Sequence, residues 1–228
     1  MQASKHLAQA CTSQQILLIY ISTDYVFPGR PGEAPYEADA KPAPTNLYGQ
    51  TKFDGERVVL EATQEKRLGV VLRVPVLYGK AVEPKESAVN VLMDVLWKSQ
   101  EKDAKIQMDD WAQRYPTNTE DVARVCLDIS TKYLDDPHGR QQLPQTLQFS
   151  SEDRMTKYEI CQLFAEIMGL PLEGIVADKQ GPDPNAAVQR PMDTHLSTKA
   201  LQDIGISVRT QSFKAWWLVM SRDWGAID

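Results

Sequence analysis

The sequence lacks a glycine-rich turn of the kind that binds the pyrophosphate of a dinucleotide. Its 228 residues include 12 glycines, of which Gly29 is the first, and no G-x-G-x-x-G occurs among them. Such a turn follows a buried strand, where its glycines let the backbone and a helix N-terminus approach the phosphates. Gly29 and Gly32 lie in a proline-rich stretch instead. The printed sequence therefore contains no complete dinucleotide-binding motif.

Other classes of protein are excluded by features in which the sequence is poor. No apolar run is long enough to span a membrane, and residues 1–15 lack the apolar segment of a signal peptide. The three cysteines are widely spaced and form no C-x-x-C, which indicates free thiols in a reducing compartment and no metal site. The net charge of −6 argues against nucleic-acid binding. We predict a cytoplasmic protein that has neither nucleic acid nor a membrane as its partner.

The first half of the chain reads as a strand, a loop and a helix. Residues 16–21 are apolar without alternation, which is typical of a parallel strand covered on both faces. Residues 28–45 carry five prolines and are predicted to form an exposed loop. Asn46 is then predicted to cap a helix that runs from Leu47 to about Lys66.

A tyrosine and a lysine lie four residues apart in this helix. Tyr48 and Lys52 would share one face of it. A lysine ammonium beside a phenol favours the phenolate and lowers the pKa of the tyrosine. Ser22 and Thr23, at the end of the apolar strand, offer hydroxyls that can hold a substrate oxygen beside the phenol. These residue types in this order predict a general acid–base site, whereas the alternative is an ordinary pair of side chains on a helix surface.

The second half of the chain alternates short strands and helices. The next strand lies within residues 69–79. Thr119 is predicted to cap one helix, and the string Thr156–Glu159 is a capping box that opens another. The last helix is predicted at residues 210–222, and its aromatic side chains, with Trp216 and Trp217 among them, are predicted to lie in the core.

The order of these motifs resembles the extended short-chain dehydrogenase/reductase family. The residues that carry the resemblance are Ser22–Phe27, Pro44, Asn46, Tyr48, Gly49, Thr51 and Lys52. The pattern is most similar to the dTDP-4-dehydrorhamnose reductase branch. It implies an α/β fold, a truncated doubly wound (Rossmann-like) parallel sheet with a small C-terminal α/β substrate lobe. The chain would begin near the helix before the family's fourth strand, so that the first β-α units are absent.

The resemblance also implies an organisation of the chain. Residues 1–228 would form a single reductase-like domain, in which residues 1–80 are the remnant of the dinucleotide-binding sheet. Residues 81–228 would be mostly substrate-lobe elements with interleaved strands of the sheet.

Roles for individual residues follow from the same resemblance. Tyr48 would be the proton donor, Lys52 its pKa-lowering partner and ribose ligand, and Thr23 the hydroxyl that orients a carbonyl. The residues expected to contact NADP are Ser22, Tyr48, Lys52, Pro75, Val76 and Leu77. Arg190 begins a segment similar to R-P-x-x-x-x-L-[DS], where the arginine approaches a substrate phosphate. Arg114 is a second candidate for an anionic substrate, with a place on the surface as the alternative. Because the glycine-rich turn is missing, NADP binding is expected to be weak.

A closer resemblance extends over most of the chain. The strings at residues 86–91, 108–117, 121–126 and 155–159 are similar to the regulatory β subunit of methionine adenosyltransferase. That family implies a non-catalytic subunit that binds a methionine adenosyltransferase catalytic subunit and modulates S-adenosylmethionine synthesis, with a tail around Trp224 that contacts this partner. Two alternatives remain, an NAD(P)H-dependent reductase of a nucleotide-linked 4-keto sugar and a truncated, inactive fragment.

Overall fold

The computed structural model describes residues 2–182 and 189–221. Within these residues the helices are α1 (Gln2–Ser13), α2 (Leu47–Thr63), α3 (Val91–Lys98), α4 (Thr119–Asp135), α5 (Lys157–Met168), α6 (Lys199–Asp203) and α7 (Phe213–Met220). The strands are β1 (Leu18–Thr23), β2 (Gly69–Val74), β3 (Leu77–Tyr78), β4 (Ile106–Asp109), β5 (Thr117–Asn118), β6 (Thr146–Gln148) and β7 (Ile175–Asp178).

The chain divides into two compact units. The first contains the described residues of Met1–Pro75, Val122–Ser150 and Asp183–Val208. The second contains those of Val76–Asp121, Ser151–Pro182 and Arg209–Asp228. The first unit therefore contains residues of the expected 1–80 segment only as far as Pro75, and it adds two later segments.

A parallel sheet in the order β1-β2-β6 is the centre of the first unit. Strand β2 is buried along all six residues and pairs with β1 from Leu18 opposite Gly69 to Thr23 opposite Val74. Among the described strands, β1 has a neighbour on one side only. Leu18, Ile19 and Tyr20 of β1 are half-buried and Ile21 is 37% exposed, so the predicted cover of this strand on both faces is wrong for these residues.

A buried ion pair joins helix α2 to this sheet. Arg73 of β2 donates from Nε and Nη2 to the two carboxylate oxygens of Glu56 in α2, at 2.9 and 2.8 Å. Both side chains are at least nine-tenths buried. Ser22 of β1 donates its hydroxyl to the same carboxylate. Because an unpaired charge in the interior costs several kcal/mol, roughly, this geometry stabilises the position of the helix on the sheet.

The remaining contacts of Arg73 reach two further parts of the first unit. Its Nη1 donates to the carbonyl of Ala38 at 3.1 Å and to the side chain of Gln148 in β6 at 3.3 Å. The guanidinium also lies 5.1 Å from the ring centroid of Phe27, which stacks on Tyr36. Tyr36 is 7% exposed. The proline-rich segment, predicted as an exposed loop, thus supplies part of the core around the ion pair.

The second unit is built from two short parallel strand pairs and three helices. Strand β3 pairs with β5, and β4 pairs with β7. Its core is aromatic, with Tyr78 edge-on to Phe213 and Trp216 at 4.8 and 5.2 Å between ring centroids. Trp217 is 1% exposed. The prediction that the aromatic side chains of the last helix lie in the core is confirmed for these residues.

Two of the three predicted helix caps are present in the structure. Asn46 accepts a hydrogen bond from the amide of Gly49 at 2.9 Å, and the Thr156–Glu159 capping box is complete, so both predicted caps are confirmed. Thr119 as a cap is wrong, because α4 already begins there and Asn118 accepts from the amide of Glu120 at 2.8 Å. The cap is therefore Asn118, one residue before the predicted Thr119, and its side chain accepts from a free amide of the first helical turn.

Replacing Arg73 by Met is expected to lower the free energy of unfolding by about 3–5 kcal/mol, because Glu56 would remain buried without its partner. Urea denaturation of the full chain measures this loss. The matched control is Arg57→Met, which removes an exposed pair with Asp54 at 3.9 Å and should cost less than about 1 kcal/mol. The double variant Arg73→Met with Glu56→Leu should recover most of the loss. Equal destabilisation by the Arg73 and Arg57 variants would contradict this account.

Candidate functional site

The hydroxyls of Ser22 and Thr23 lie at the carboxyl end of strand β1 and are engaged by the protein. Ser22 is 2% exposed and donates to Glu56. Thr23 donates to the carboxylate of Asp24 at 3.0 Å and accepts from the amide of Tyr25 at 3.3 Å. The Ser22 hydroxyl is therefore already hydrogen-bonded to a buried carboxylate. By accepting from Tyr25, Thr23 caps a short 3-10 turn.

Tyr48 projects from the first turn of helix α2 and is open to solvent. Its side chain is 56% exposed. The ring meets that of Tyr25 edge-on, with 6.1 Å between centroids. The backbone of Tyr25 approaches helix α2 so closely that position 49 must be glycine, because a Cβ there would lie 2.1 Å from the carbonyl oxygen of Tyr25. Tyr25 therefore connects the Thr23 turn to the tyrosine of the predicted pair.

Lys52 lies one turn after Tyr48 and is held against strand β1. Its Nζ donates to the carbonyl of Ile21 at 2.7 Å and lies 5.1 Å from the ring centroid of Tyr20. Burial lowers the pKa of the Lys52 ammonium, and the nearby negative charge of Glu56 opposes that shift. Burial also raises the pKa of the Tyr20 phenol, with Glu56 adding to the effect. Lys52 is thus a partly desolvated cation, and one of its three N–H donors already has a protein acceptor.

The segment that carries Arg190 is attached to the start of helix α2. The carbonyl of Gln189 accepts from the side chains of Thr45 and Asn46, at 3.2 and 3.3 Å. Five residues on, Thr194 donates to the buried carboxylate of Asp24 at 2.6 Å. Arg190 itself is exposed. The first unit therefore brings the predicted residues Thr23, Tyr48, Lys52 and Arg190 into one neighbourhood.

The remaining predicted residues divide between the units. Pro75 follows β2 in the first unit, whereas the half-buried Val76 and Leu77 begin the second. Arg114, also in the second unit, is 6% exposed and lies 3.7 Å from a carboxylate oxygen of Asp109. A surface place for Arg114 is therefore wrong.

The burial of Arg114 has a local cause. Asp109 accepts the amides of Trp111 and Ala112, at 3.0 Å each, and so turns the chain back on itself. The backbone of Arg114 then pairs with Met155 in both directions, at 2.8 and 2.9 Å. The arginine consequently lies inside the unit, beside the aspartate that made the turn.

Three residues that matter to this geometry were missed in the sequence. Glu56 and Arg73 form the ion pair, and Asp24 links Thr23 to Thr194. A signal was present for two of them, because an arginine inside the apolar strand of residues 69–74 needs a buried acid and Glu56 is one helical turn from Lys52.

Two further types of site were searched for among the described residues. No group of three or more His, Cys, Asp or Glu side chains there could hold a metal ion. No helix of residues 2–182 or 189–221 is long and apolar enough to cross a membrane.

Curated proteins similar to this chain carry two names. "Methionine adenosyltransferase 2 subunit beta" of Pongo abelii is 40% identical over 211 residues, which are 91% of this chain and 58% of that protein. The protein of the same name from Danio rerio is 39% identical over 197 residues, 86% of this chain and 57% of its own length. "dTDP-4-dehydrorhamnose reductase" of Streptomyces griseus is 36% identical over 122 residues, 54% of this chain and 37% of its own. The chain thus spans less than two thirds of the length of these relatives.

Solved structures confirm the predicted parallel α/β fold. A dTDP-4-dehydrorhamnose reductase from Bacillus anthracis in complex with NADP superposes with a TM-score of 0.75 at 21% identity, covering 96% of this chain and 70% of that one. A dTDP-glucose 4,6-dehydratase from the same organism in complex with NAD gives 0.73 at 14% identity, covering 99% and 67%. The sequence model of the RmlD substrate binding domain matches residues 1–216. On this match the chain belongs to the RmlD substrate binding domain family.

Proposed function

We propose that this protein is a regulatory, non-catalytic subunit of methionine adenosyltransferase, which binds a catalytic subunit and modulates S-adenosylmethionine synthesis. The observation that carries the proposal is the 40% identity over 91% of the chain to proteins named as the β subunit of that enzyme. A cytoplasmic location belongs to the same proposal.

The string at residues 108–117, which resembles this family most, supports the proposal through the fold of the second unit. Its last four residues, Arg114–Thr117, are all buried. Because these four side chains are enclosed by their own unit, they stabilise that unit and are unsuited to direct contact with a partner.

Exposed apolar side chains of the second unit are better candidates for that contact. Trp97 follows the buried Leu96 in helix α3 and is 56% exposed. Val219 in α7 is 60% exposed. Tryptophan is enriched among the residues that contribute most to protein–protein binding. We therefore place a contact with the catalytic subunit at Trp97. Trp224, the contact predicted from sequence, lies outside the described residues.

Trp97→Ala is expected to weaken binding to a methionine adenosyltransferase catalytic subunit by at least about tenfold, because truncating a buried interface tryptophan costs roughly 2 kcal/mol or more. Co-purification followed by interferometry on the full chains measures the change. Leu127→Ala, which truncates a 66% exposed side chain in the first unit, is the matched control and should bind as the parent does. Trp224→Ala belongs in the same series. Failure of the parent to co-purify would refute the regulatory function, whereas full binding by Trp97→Ala would refute the contact alone.

An NAD(P)H-dependent reductase of a nucleotide-linked keto sugar is the second candidate function. It is favoured by the exposed Tyr48 one turn before Lys52 and beside the Thr23 turn. In this function Ser22, Tyr48, Lys52, Pro75, Val76 and Leu77 would contact NADP, and Arg190 and Arg114 would contact the substrate. The ribose end of NADP has residues to hold it, because the Lys52 ammonium has three donors and uses one of them for the carbonyl of Ile21. The pyrophosphate has no glycine-rich turn in the printed sequence.

NADPH is therefore expected to bind weakly to this chain, since one end of the cofactor has contacts and the pyrophosphate has none. In a fluorescence titration, the binding signal should not saturate at roughly micromolar concentrations of NADPH. A micromolar or tighter dissociation constant would contradict the expectation and favour the reductase. Tyr48→Phe would then separate binding from chemistry, since it removes the proton donor and keeps the ring. A chain that binds neither NADPH nor a catalytic subunit fits the remaining alternative, an inactive fragment.

A further inference from the structure

The segment that contains the exposed Arg190, residues 189–197, is bonded to a turn at Gly29 in the proline-rich loop. The amides of Met192 and Asp193 both donate to the carbonyl of Gly29, at 3.1 and 3.2 Å. These two amides follow Arg190 by only two and three residues. The position of the Gly29 turn therefore determines where the backbone beside the arginine lies.

The turn and the Arg190 segment are also packed directly against each other. Gly29 has a φ of +62°, in the left-handed region that favours glycine. A Cβ at this position would lie 2.4 Å from the Cβ of Pro191. Any shift of the turn would consequently shift Pro191, and with it the neighbouring Arg190.

One hydroxyl holds the turn from its other side. The amide of Gly29 donates to the phenol oxygen of Tyr36 at 3.0 Å, and this phenol donates to the carboxylate of Glu33 at 2.6 Å. Burial, with the hydrogen bond to Glu33 as a second cause, raises the pKa of Tyr36 to about 12. The phenol is therefore neutral at physiological pH, so that it can accept one hydrogen bond and donate another. Its ring stacks on Phe27 with 4.3 Å between centroids, which fixes the direction of the hydroxyl.

The main chain of Tyr36 holds the far end of the Arg190 segment. Its amide donates to the carbonyl of His195 at 2.8 Å, and its carbonyl accepts from the amide of Ser197 at 2.8 Å. The buried Gln148 donates from Nε2 to the carbonyls of Tyr36 and Ser197, at 2.7 and 3.2 Å. Tyr36 is thus connected to the segment at two places, through its hydroxyl near Arg190 and through its backbone farther along.

We propose that Tyr36 is a positioning residue, whose hydroxyl fixes the part of the segment that presents Arg190 to a diphosphate ligand. This inference rests on the second candidate function, in which Arg190 contacts the phosphate of a nucleotide-linked sugar. An arginine binds phosphate through paired donors in a fixed plane, so its affinity depends on how its backbone is held. Tyr36 is 7% exposed and acts through Gly29, not as a contact of the ligand.

Tyr36→Phe removes the hydroxyl and keeps the ring and the main-chain bonds. The amides of Gly29, Met192 and Asp193 should then exchange about fivefold faster or more, because the Gly29 amide loses its acceptor. The amide of Ser197, which bonds the main chain at residue 36, should keep its protection. Hydrogen exchange of the full chain, followed by NMR, measures this difference within one segment.

Tyr133→Phe is the matched control, because the hydroxyl of Tyr133 also lies in the first unit but donates to a main-chain carbonyl outside the Arg190 segment. It should leave exchange at Gly29 unchanged. The amide of Val71, in the fully buried strand β2, reports global unfolding, so a change that exceeds the change at Val71 is local. Glu33→Gln keeps an acceptor for the phenol and should remain close to the parent.

Thymidine diphosphate (dTDP) is the probe for the ligand, and calorimetric titration of the full chain measures its affinity. Tyr36→Phe is expected to weaken binding about fivefold, the effect of losing one neutral hydrogen bond. Arg190→Gln should weaken binding at least as much. The double variant should be no weaker than Arg190→Gln alone, because the hydroxyl acts through the arginine. Tyr133→Phe should bind as the parent does.

Three results would overturn the proposal. The first is exchange at Met192 and Asp193 that only follows Val71 in Tyr36→Phe. The second is unchanged dTDP affinity in Tyr36→Phe when Arg190→Gln weakens it, and the third is a further loss in the double variant. A parent chain that binds no dTDP refutes the second candidate function, and the exchange comparison then decides the positioning of the segment by itself.

Discussion

The buried pair of Arg73 and Glu56 is the interaction on which the first unit depends. One guanidinium meets a carboxylate with two parallel hydrogen bonds and uses its third nitrogen for a carbonyl and an amide oxygen. Burying either charge alone costs several kcal/mol, roughly, so the elements that carry the two residues have to be placed together. These elements are α2 and β2. Strand β1 is joined to them because its Ser22 donates a hydrogen bond to the same carboxylate.

The same pair connects the fold to the candidate site. Glu56 follows Lys52 by one helical turn, and its charge raises the pKa of a lysine whose burial lowers it. Its carboxylate also accepts a hydrogen bond from the hydroxyl of Ser22, next to Thr23 at the end of β1. The position of the helix that bears Tyr48 and Lys52 is therefore determined by a carboxylate that was not part of the predicted site.

Features that depend on neighbours in sequence could be predicted, and features that depend on distant partners could not. The Asn46 cap and the Thr156–Glu159 capping box involve residues three apart, so the motif contains the interaction. The parallel strands followed from apolar composition. The partner of Arg73 lies 17 residues away and on another element, and only the fold brings it there. The burial of Arg114 was missed for a related reason, because its backbone pairs with Met155, 41 residues away along the chain.

The relay residues themselves say less about catalysis than their pattern implies. Lys52 bonds a strand carbonyl, Ser22 a buried carboxylate, and Thr23 both an aspartate and a backbone amide. Each residue thus has a structural reason to be present whether or not a cofactor binds. Tyr48 differs, because its phenol is exposed and its ring contact with Tyr25 requires no hydroxyl. A chain that had lost reductase chemistry would still use Lys52, Ser22 and Thr23 for these contacts, and would use only the ring of Tyr48. Of these residues, only Tyr48 carries a group, its phenol hydroxyl, that the ring contact with Tyr25 leaves without a part in the fold.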